Sequence, residues 1–499
     1  MLFNSIEFMV FFPSVCILYY LIPSRAKNLF LLACSYFFYM CWNPKYALIL
    51  LISTAITYYC GLLLGRSDGI EDEEKRIRNK KLCIASGFIL NLGILFFFKY
   101  FNLFSRTLNS VFALLHIHVN VPFFDVLLPA GISFYTFKVL SYIMDVYRKD
   151  IPAETDFIRY ALYVSFFPQL AQGPIAHAKD MLPQFSEEHV FDWYNIRRGL
   201  LLMLYGYFQK AVLASWLGMI VDTVYGNWAN CSGLQLLIAT VCFAFQLYSD
   251  FAGYSCIAIG AGEVMGFTTL DNFNVPYLSK SVSEFWRRWH ISLSTWFRDY
   301  LYIPLGGNRK GKWIKYFNIM TVFLVSGLWH GAEYHYIAWG GLNGLFQIIG
   351  DLLRPLRTRT LQLLHIQKNS AVHNIFRVIF TFILILITWV FFRAPSLVES
   401  VYILEKILIG FGTSAWRALP DGLKGLGIDR PVLMLLVASM IILIFFDVMK
   451  YRNICVRDFI LKQKPYVRWT LYYAAVTAIL VFGVYGPGYS STEFMYIQF

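Results

Sequence analysis

Charge is what this sequence has least of. Asp, Glu, Lys and Arg together make up 15% of its 499 residues, where an average soluble domain carries about 25%. No polar stretch is long enough to form a separate soluble domain; the longest plainly polar connection is "GRSDGIEDEEKRIRNKK", Gly65 to Lys81. A water-soluble globular class is thereby excluded. The sequence also lacks a Walker A loop, a GxGxxG fingerprint, a GxSxG elbow and any CxxC pair. Nucleotide hydrolysis, Rossmann-type binding, α/β-hydrolase chemistry and thioredoxin chemistry are left without support. Seven of the nine cysteines (Cys16, Cys34, Cys41, Cys60, Cys83, Cys242 and Cys256) lie in apolar runs and read as small buried hydrophobes. Neither a disulfide framework nor a zinc site follows from them. Strand-type alternation, internal repeats and low-complexity tracts are absent as well.

What is there is apolar. Hydrophobic residues make up 58% of the chain and the mean hydropathy is +0.54. Stretches of about 20 apolar residues, enough to cross a hydrocarbon core roughly 30 Å thick, recur along the whole length. The length rule gives about 11–13 of them, half-length segments included. The expected fold is an all-α polytopic membrane protein, a single transmembrane domain over 1–499. The expected spans are Ile6–Ile22, Leu29–Trp42, Tyr46–Leu64, Leu82–Phe101, Val126–Met144, Ile196–Leu217, Leu234–Gly262, Ile314–Trp329, Ile337–Leu352, Ile375–Phe392, Pro431–Val448 and Trp469–Val484. Between them, Tyr163–Phe185 holds three prolines and reads as short helices and turns near an interface.

The formal charge is +13, but the basic residues are scattered in loops and at span ends. That is the pattern by which a multispan protein in a lipid bilayer fixes its orientation, not a nucleic-acid footprint. Arg25/Lys27, Arg66–Lys81 and Arg148/Lys149 follow the first, third and fifth spans. If those ends are cytoplasmic, the N-terminus is extracytoplasmic. The opening "MLFNSIEFMVFFPSVCILYYLIP" lacks a basic leader and a small-residue cleavage site, so it reads as a retained first span.

Polar residues interrupt this apolar text at a few places. "SEFWRRWHISLSTWFRDYLYIPLGG", Ser283 to Gly307, sets three arginines and a histidine among three tryptophans. Projected at 100° per residue, Trp286, Trp289, Leu293, Trp296, Phe297 and Tyr300 form one apolar stripe. Arg287, His290, Ser294 and Arg298 form a row beside it. Such an amphipathic helix either lies at the membrane interface or enters the protein and lines a cavity. Periodicity leaves both open, and a lone histidine beside an apolar face is often structural.

"FLVSGLWHGAEYHYIAWGGLNG" ends an apolar span on His330, between Gly327 and Gly331. A histidine at membrane depth is a functional candidate and titrates near neutrality; the alternative is a histidine bonded to a nearby carbonyl. "HGAEYH" is not HExxH, and no metal ligand set is apparent. Asp250, deep in "FQLYSDFAGYS", must be paired, protonated or lining a polar cavity, with Arg287 or Arg288 as candidate partners. Lys138 and Asp145, seven apart, read as an internal pair.

Taken together, these stretches resemble the membrane-bound O-acyltransferase (MBOAT) family, and within it the bacterial membrane subunits of alginate-type polysaccharide O-acetylation systems. The resemblance runs through "MLFNSIEF", "PAGISFYTFKVLSYIMDVYR", "YVSFFPQLAQGPI", "YSDFAGYSCIAIGAGEVMGF", "NFNVPYLSKSVSEFWRRWHISLSTWFRDYLYIPLGGNR", "SGLWHGAEYHYIAWGGLNG", "TWVFFRAPSL" and "EFMYIQF". It implies an MBOAT-like ring of tilted, short or re-entrant helices around a central tunnel, in a bacterial cell membrane. The family's two histidines carry over as His290 and His330, with Asp250 beside them.

The resemblance implies acetyl transfer from cytosolic acetyl-CoA to a hydroxyl of an extracytoplasmic polysaccharide or of a partner such as an SGNH-type acetyltransferase. No bound cofactor is implied; acetyl-CoA is the donor substrate. A histidine near pKa 6.5 suits removal of the hydroxyl proton, which makes His330 the expected general base. His290 is then expected to polarise the thioester carbonyl or orient the acceptor. Arg287 and Arg298 are expected to attract donor phosphates or hold the core segment, with Trp286, Trp289 and Ser294 supporting it. Direct transfer in a ternary complex is the simpler expectation, and an acyl-enzyme on Ser294, one helical turn from His290, is the alternative. Within the family the alternative is a teichoic-acid D-alanyl transferase fed by a carrier-protein thioester. Outside it, the alternatives are a proton-coupled transporter or flippase, and a scaffold for extracytoplasmic enzymes.

Overall fold

A computed structural model describes residues 1–368, 370–410 and 428–484; the terminal "EFMYIQF" lies outside them. Among the described residues every regular element is helical. The helices used below are α1 (Ile6–Leu21), α2 (Ser24–Met40), α3 (Pro44–Ser67), α4 (Glu73–Leu95), α5 (Ile132–Arg148), α6 (Trp193–Tyr207), α7 (Ser215–Gly226), α8 (Gly233–Val264), α9 (Val282–Arg288), α10 (Ile291–Phe297), α11 (Lys312–His330), α12 (Tyr334–Leu352), α13 (Ala371–Arg393), α14 (Arg430–Tyr451) and α15 (Pro465–Phe482). Six continuous helical stretches are long and apolar enough to cross a membrane: Pro44–Ser67, Glu73–Leu114, Trp193–Gly226, Gly233–Val264, Ala371–Arg393 and Arg430–Tyr451. The protein is a multi-pass membrane protein. Other expected spans take the form of shorter helices, such as α1 with 16 residues and α2 with 17. The span expected from Val126 begins as a helix only at Ile132, after the left-handed Gly131 (φ 71°).

Local chemistry sets where several helices begin. Asn43 accepts from the Lys45 N–H at 3.1 Å, with Pro44 opening α3. Asp72 accepts from Lys75 N–H, ahead of Glu73 and Glu74 in the first turn of α4. Asp429 accepts from Val432 N–H at the start of α14. Tyr163–Phe185 forms short helical pieces and turns, as its prolines require.

The chain divides into two compact units. The first holds 1–203 and 257–270. In it α5 is enclosed along nearly its whole length. Lys138 donates to the Tyr163 carbonyl at 2.6 Å and to Gln169 Oε1 at 3.3 Å. The internal Lys138–Asp145 pair expected from sequence is therefore not formed. The two lie two helical turns apart, roughly 10 Å, and the lysine instead satisfies a carbonyl in the proline-interrupted segment.

Of the described residues, the second unit holds 204–256 and those from 271 to 484, and it contains both expected histidines. Its α11 and α12 form a hairpin whose crossing depends on glycine. A Cβ on Gly327 would lie 2.3 Å from the Tyr336 carbonyl oxygen, and one on Gly340 would lie 2.2 Å from that of Phe323. Backbone meets backbone there, as small residues allow in membrane helix pairs. The hairpin fixes the end of α11, and hence His330. Gly327→Ala is expected to force the helices apart at a cost of about 1–3 kcal/mol, read as a lowered Tm of the purified protein in detergent. An unchanged Tm would show that the crossing tolerates a methyl group.

Candidate active site

His290 is not on the continuous amphipathic helix that the periodicity predicts. The segment breaks into α9 and α10, and Trp289 and His290 form the break. His290 adopts a left-handed backbone, φ 45° and ψ 55°, uncommon for a residue with a Cβ. Its side chain is completely buried. The expected row of Arg287, His290, Ser294 and Arg298 is broken by that turn, and after Phe297 the backbone becomes π-helical over Arg298–Tyr302. The tryptophans nevertheless go inward. Trp286, Trp289 and Trp296 are all buried; Trp286 and Trp289 find ring partners on α8, α11, α12 and α13.

His330 is the last residue of α11 and is buried. Its ring lies edge-on to Trp339 of α12, centroids 4.8 Å apart, and to Phe392 of α13 at 5.5 Å. The two histidines meet through one side chain. Trp329 stands 4.9 Å from the His330 ring and 6.0 Å from the His290 ring, edge-on to both. Phe251 of α8 closes on His290 from another direction at 4.6 Å. Trp289, Trp339, Trp389 and Phe392, each about 1% exposed, complete the enclosure. Trp286 is oriented by its indole N–H, which donates to Asn343 Oδ1 at 3.1 Å. The neighbouring His335 is a structural residue, its Nδ1 2.9 Å from the Phe391 carbonyl oxygen.

The other expected site residues sit apart from this centre. Asp250 pairs with Lys210, buried on both sides, and not with Arg287 or Arg288. Arg288 is taken by Glu284, one turn earlier on α9, at 2.9 Å. Along α8, Gln246, Asp250 and Gly253 face the α6–α7 stretch, with Gly253 against the Gly206 carbonyl and Gln246 against Gly218. Tyr248 and Phe251 face the other way, toward Trp289 and His290. The 100° step of the helix puts these two sets on opposite sides. Lys210 itself lies in a π-helical segment, Phe208–Ala214, between α6 and α7. Arg287 and Arg298 are exposed, and Arg298 holds Asp299 through two bonds, at 2.7 and 3.1 Å. Ser294 Oγ donates back to the Trp289 carbonyl at 3.4 Å, tying α10 to the break. Among the described residues, no three His, Cys, Asp or Glu side chains gather as a metal site.

Comparison with known proteins decides the family. The profile of the MBOAT, membrane-bound O-acyltransferase, family matches residues 148–394. A probable alginate O-acetylase of Pseudomonas aeruginosa is 37% identical over 456 residues, 91% of this chain and 82% of that protein. The chain belongs to the MBOAT family. It is an O-acyltransferase. A peptidoglycan O-acetyltransferase of Helicobacter pylori is 33% identical over 82% of this chain and 80% of its own length. A teichoic acid D-alanyltransferase of Bacillus subtilis is 32% identical over 42% of this chain and 55% of its own.

The MBOAT match encloses both histidines and the whole aromatic enclosure, while α14 lies beyond it. Four side chains have roles that the sequence does not signal. Trp329 adjoins His330, but nothing in the sequence tells that its ring also meets His290. Trp389 and Phe392 stand in "TWVFFRAPSL", inside an expected span where aromatic residues are common, and nothing there marks them as enclosing a histidine. Lys210 was hidden in an otherwise apolar run, and its position 40 residues before Asp250 gave no periodicity to follow.

The Lys210–Asp250 pair supplies a prediction. Asp250→Ala leaves a buried ammonium uncompensated, at a cost of about 3–5 kcal/mol, and the Tm should fall sharply. The double variant Lys210→Met/Asp250→Leu, with apolar side chains in place of both charges, should recover most of it. An Asp250→Ala protein with wild-type Tm and no activity would move Asp250 from the scaffold to the chemistry.

Proposed function

We propose that this MBOAT protein transfers an acetyl group from acetyl-CoA, entering from the cytosol, to a hydroxyl on the extracytoplasmic side of a bacterial inner membrane. The acceptor is a polysaccharide or a partner protein, such as an SGNH-type acetyltransferase, that passes the group on. The observation that carries this reading is the pair of enclosed imidazoles that both meet the Trp329 ring, in a chain similar over more than four fifths of its length to O-acetylating enzymes. The D-alanyl alternative is weaker because its relative matches under half of this chain.

In the proposed reaction His330 is the general base. It takes the acceptor's hydroxyl proton as the oxygen attacks the thioester carbonyl. A C–O bond forms, the C–S bond breaks, and the proton passes from the imidazole to the departing thiolate. A positioned base of this kind contributes about 10²–10⁴-fold. His290 is the second polar group, polarising the carbonyl or orienting the hydroxyl. Arg287 and Arg298, both exposed, attract the donor's phosphates. Ser294 is given no covalent role, since its hydroxyl already bonds the Trp289 carbonyl.

Two experiments test the reading. In proteoliposomes, radiolabelled acetyl-CoA should yield acetylated acceptor or slow thioester hydrolysis, and a D-alanyl carrier should not serve as donor. His330→Ala should lose about 10²–10⁴-fold in rate while the protein stays folded; full activity in that variant removes His330 from the chemistry. Orientation can be read with cysteines. Cys41 and Cys455 are exposed, the first in the turn after α2 and the second in a basic connection after α14. With an extracytoplasmic N-terminus, a membrane-impermeant maleimide should label a variant retaining only Cys41 in intact cells. A variant retaining only Cys455 should label only after the membrane is opened. The reverse pattern inverts the topology.

A further inference from the structure

The left-handed turn at His290 needs an explanation, because the residue is neither Gly nor Asn. Backbone strain of this kind costs on the order of 1–3 kcal/mol and persists only where the surroundings over-determine it. The turn has a second difficulty. As the N-cap of α10, His290 offers no side-chain acceptor, so the first N–H groups of that helix must be satisfied from elsewhere.

Both difficulties are met by one residue, Asn272, in the segment between α8 and α9. Asn272 is buried. Its backbone carbonyl accepts from the Ile291 N–H at 2.9 Å. Its Oδ1 accepts from the Ser292 N–H at 3.2 Å and from the Ser292 hydroxyl at 2.7 Å. Its Nδ2 donates to Ser255 Oγ of α8 at 3.2 Å. Two residues further on, Asn274 N–H donates to the Arg288 carbonyl at 2.9 Å, on the other side of the break. The segment 271–275 thus grips the chain immediately before and immediately after Trp289–His290. Lys450 of α14 holds that segment through the Asp271 carboxylate at 2.7 Å and the Phe273 carbonyl at 2.8 Å.

We propose that Asn272 is a positioning residue for His290: it substitutes for the missing cap of α10 and so holds the imidazole in the orientation that acyl transfer requires. Asn272 touches neither imidazole nor reacting atoms; it acts through the backbone that carries His290. Lys450, which lies outside the family-matched region, is the outer brace of the same device. The inference rests on His290 taking part in the reaction proposed above.

The test is a double-mutant cycle on the full-length protein in proteoliposomes. Asn272→Leu, close in volume but unable to bond, should lower kcat on the order of 10–100-fold, the scale of a misplaced catalytic group, with the donor KM nearly unchanged. His290→Asn removes the imidazole while tolerating the left-handed backbone. In that background Asn272→Leu should cost less than about twofold more, because residues acting through one group do not add. Losses that multiply would overturn the proposal. Should Asn272→Leu fail to fold, Ser255→Ala removes only the anchor of Nδ2 and should give a smaller kcat loss, again absent beside His290→Asn; a loss that persists there overturns it equally. NMR of isotope-labelled histidine gives a readout independent of turnover. The His290 ring resonances should shift or split in Asn272→Leu, and unchanged resonances defeat the proposal. If instead His290→Asn retains full activity while those resonances move, the clamp stands and the role given to His290 falls.

Discussion

Backbone polar groups in a membrane protein have no water to fall back on, and this constraint organises the region around His290 and His330. Each break in a helix exposes N–H and carbonyl groups that must find partners inside the protein. At Trp289–His290 the partners come from the segment 271–275. At the proline-interrupted segment of the first unit, the Lys138 ammonium reaches the Tyr163 carbonyl. In each case a polar side chain from a distant part of the sequence makes an irregular backbone tolerable. Irregular backbone is also what lets a histidine leave the regular face of a helix.

The second organising element is the aromatic enclosure. Tryptophan and phenylalanine provide large, rigid surfaces that pack edge to face, and here they wrap two imidazoles instead of filling a plain core. Trp329 meeting both rings places His290 and His330 in one environment, although forty residues separate them. The ion pair of Asp250 with Lys210 faces away from this environment. It secures the packing of α8 against the α6–α7 stretch, so the single carboxylate in the apolar run of α8 belongs to the scaffold.

Much of this was legible in the sequence. Apolar length predicts the membrane-crossing helices directly, since a roughly 30 Å hydrocarbon layer demands it. Asn43 before Pro44 and Asp429 before Pro431 are start signals that sequence carries on its face. His290 and His330 stood out as polar residues in apolar text. The break at His290 did not, because "WRRWHIS" holds neither proline nor glycine and its spacing fits a helix. What bends it is a long-range bond set from Asn272, and local propensity contains no trace of such bonds. Asp250 failed similarly: the nearest arginines in the motif were the natural partners on paper, while the cation that reaches it comes from forty residues upstream.

The glycine crossing of α11 and α12 bears on how anything arrives at His330. Backbones packed at that distance leave no slack for one helix to slide past the other, so the arm that carries the histidine is a fixed post. Yet the ring at its end is enclosed on every side. The rings around that post, Trp339 of α12 and Phe392 of α13, are therefore placed by the same hairpin that places the imidazole. One histidine ends a welded hairpin, and the other sits at a break in the chain that is bonded on both sides by the segment 271–275.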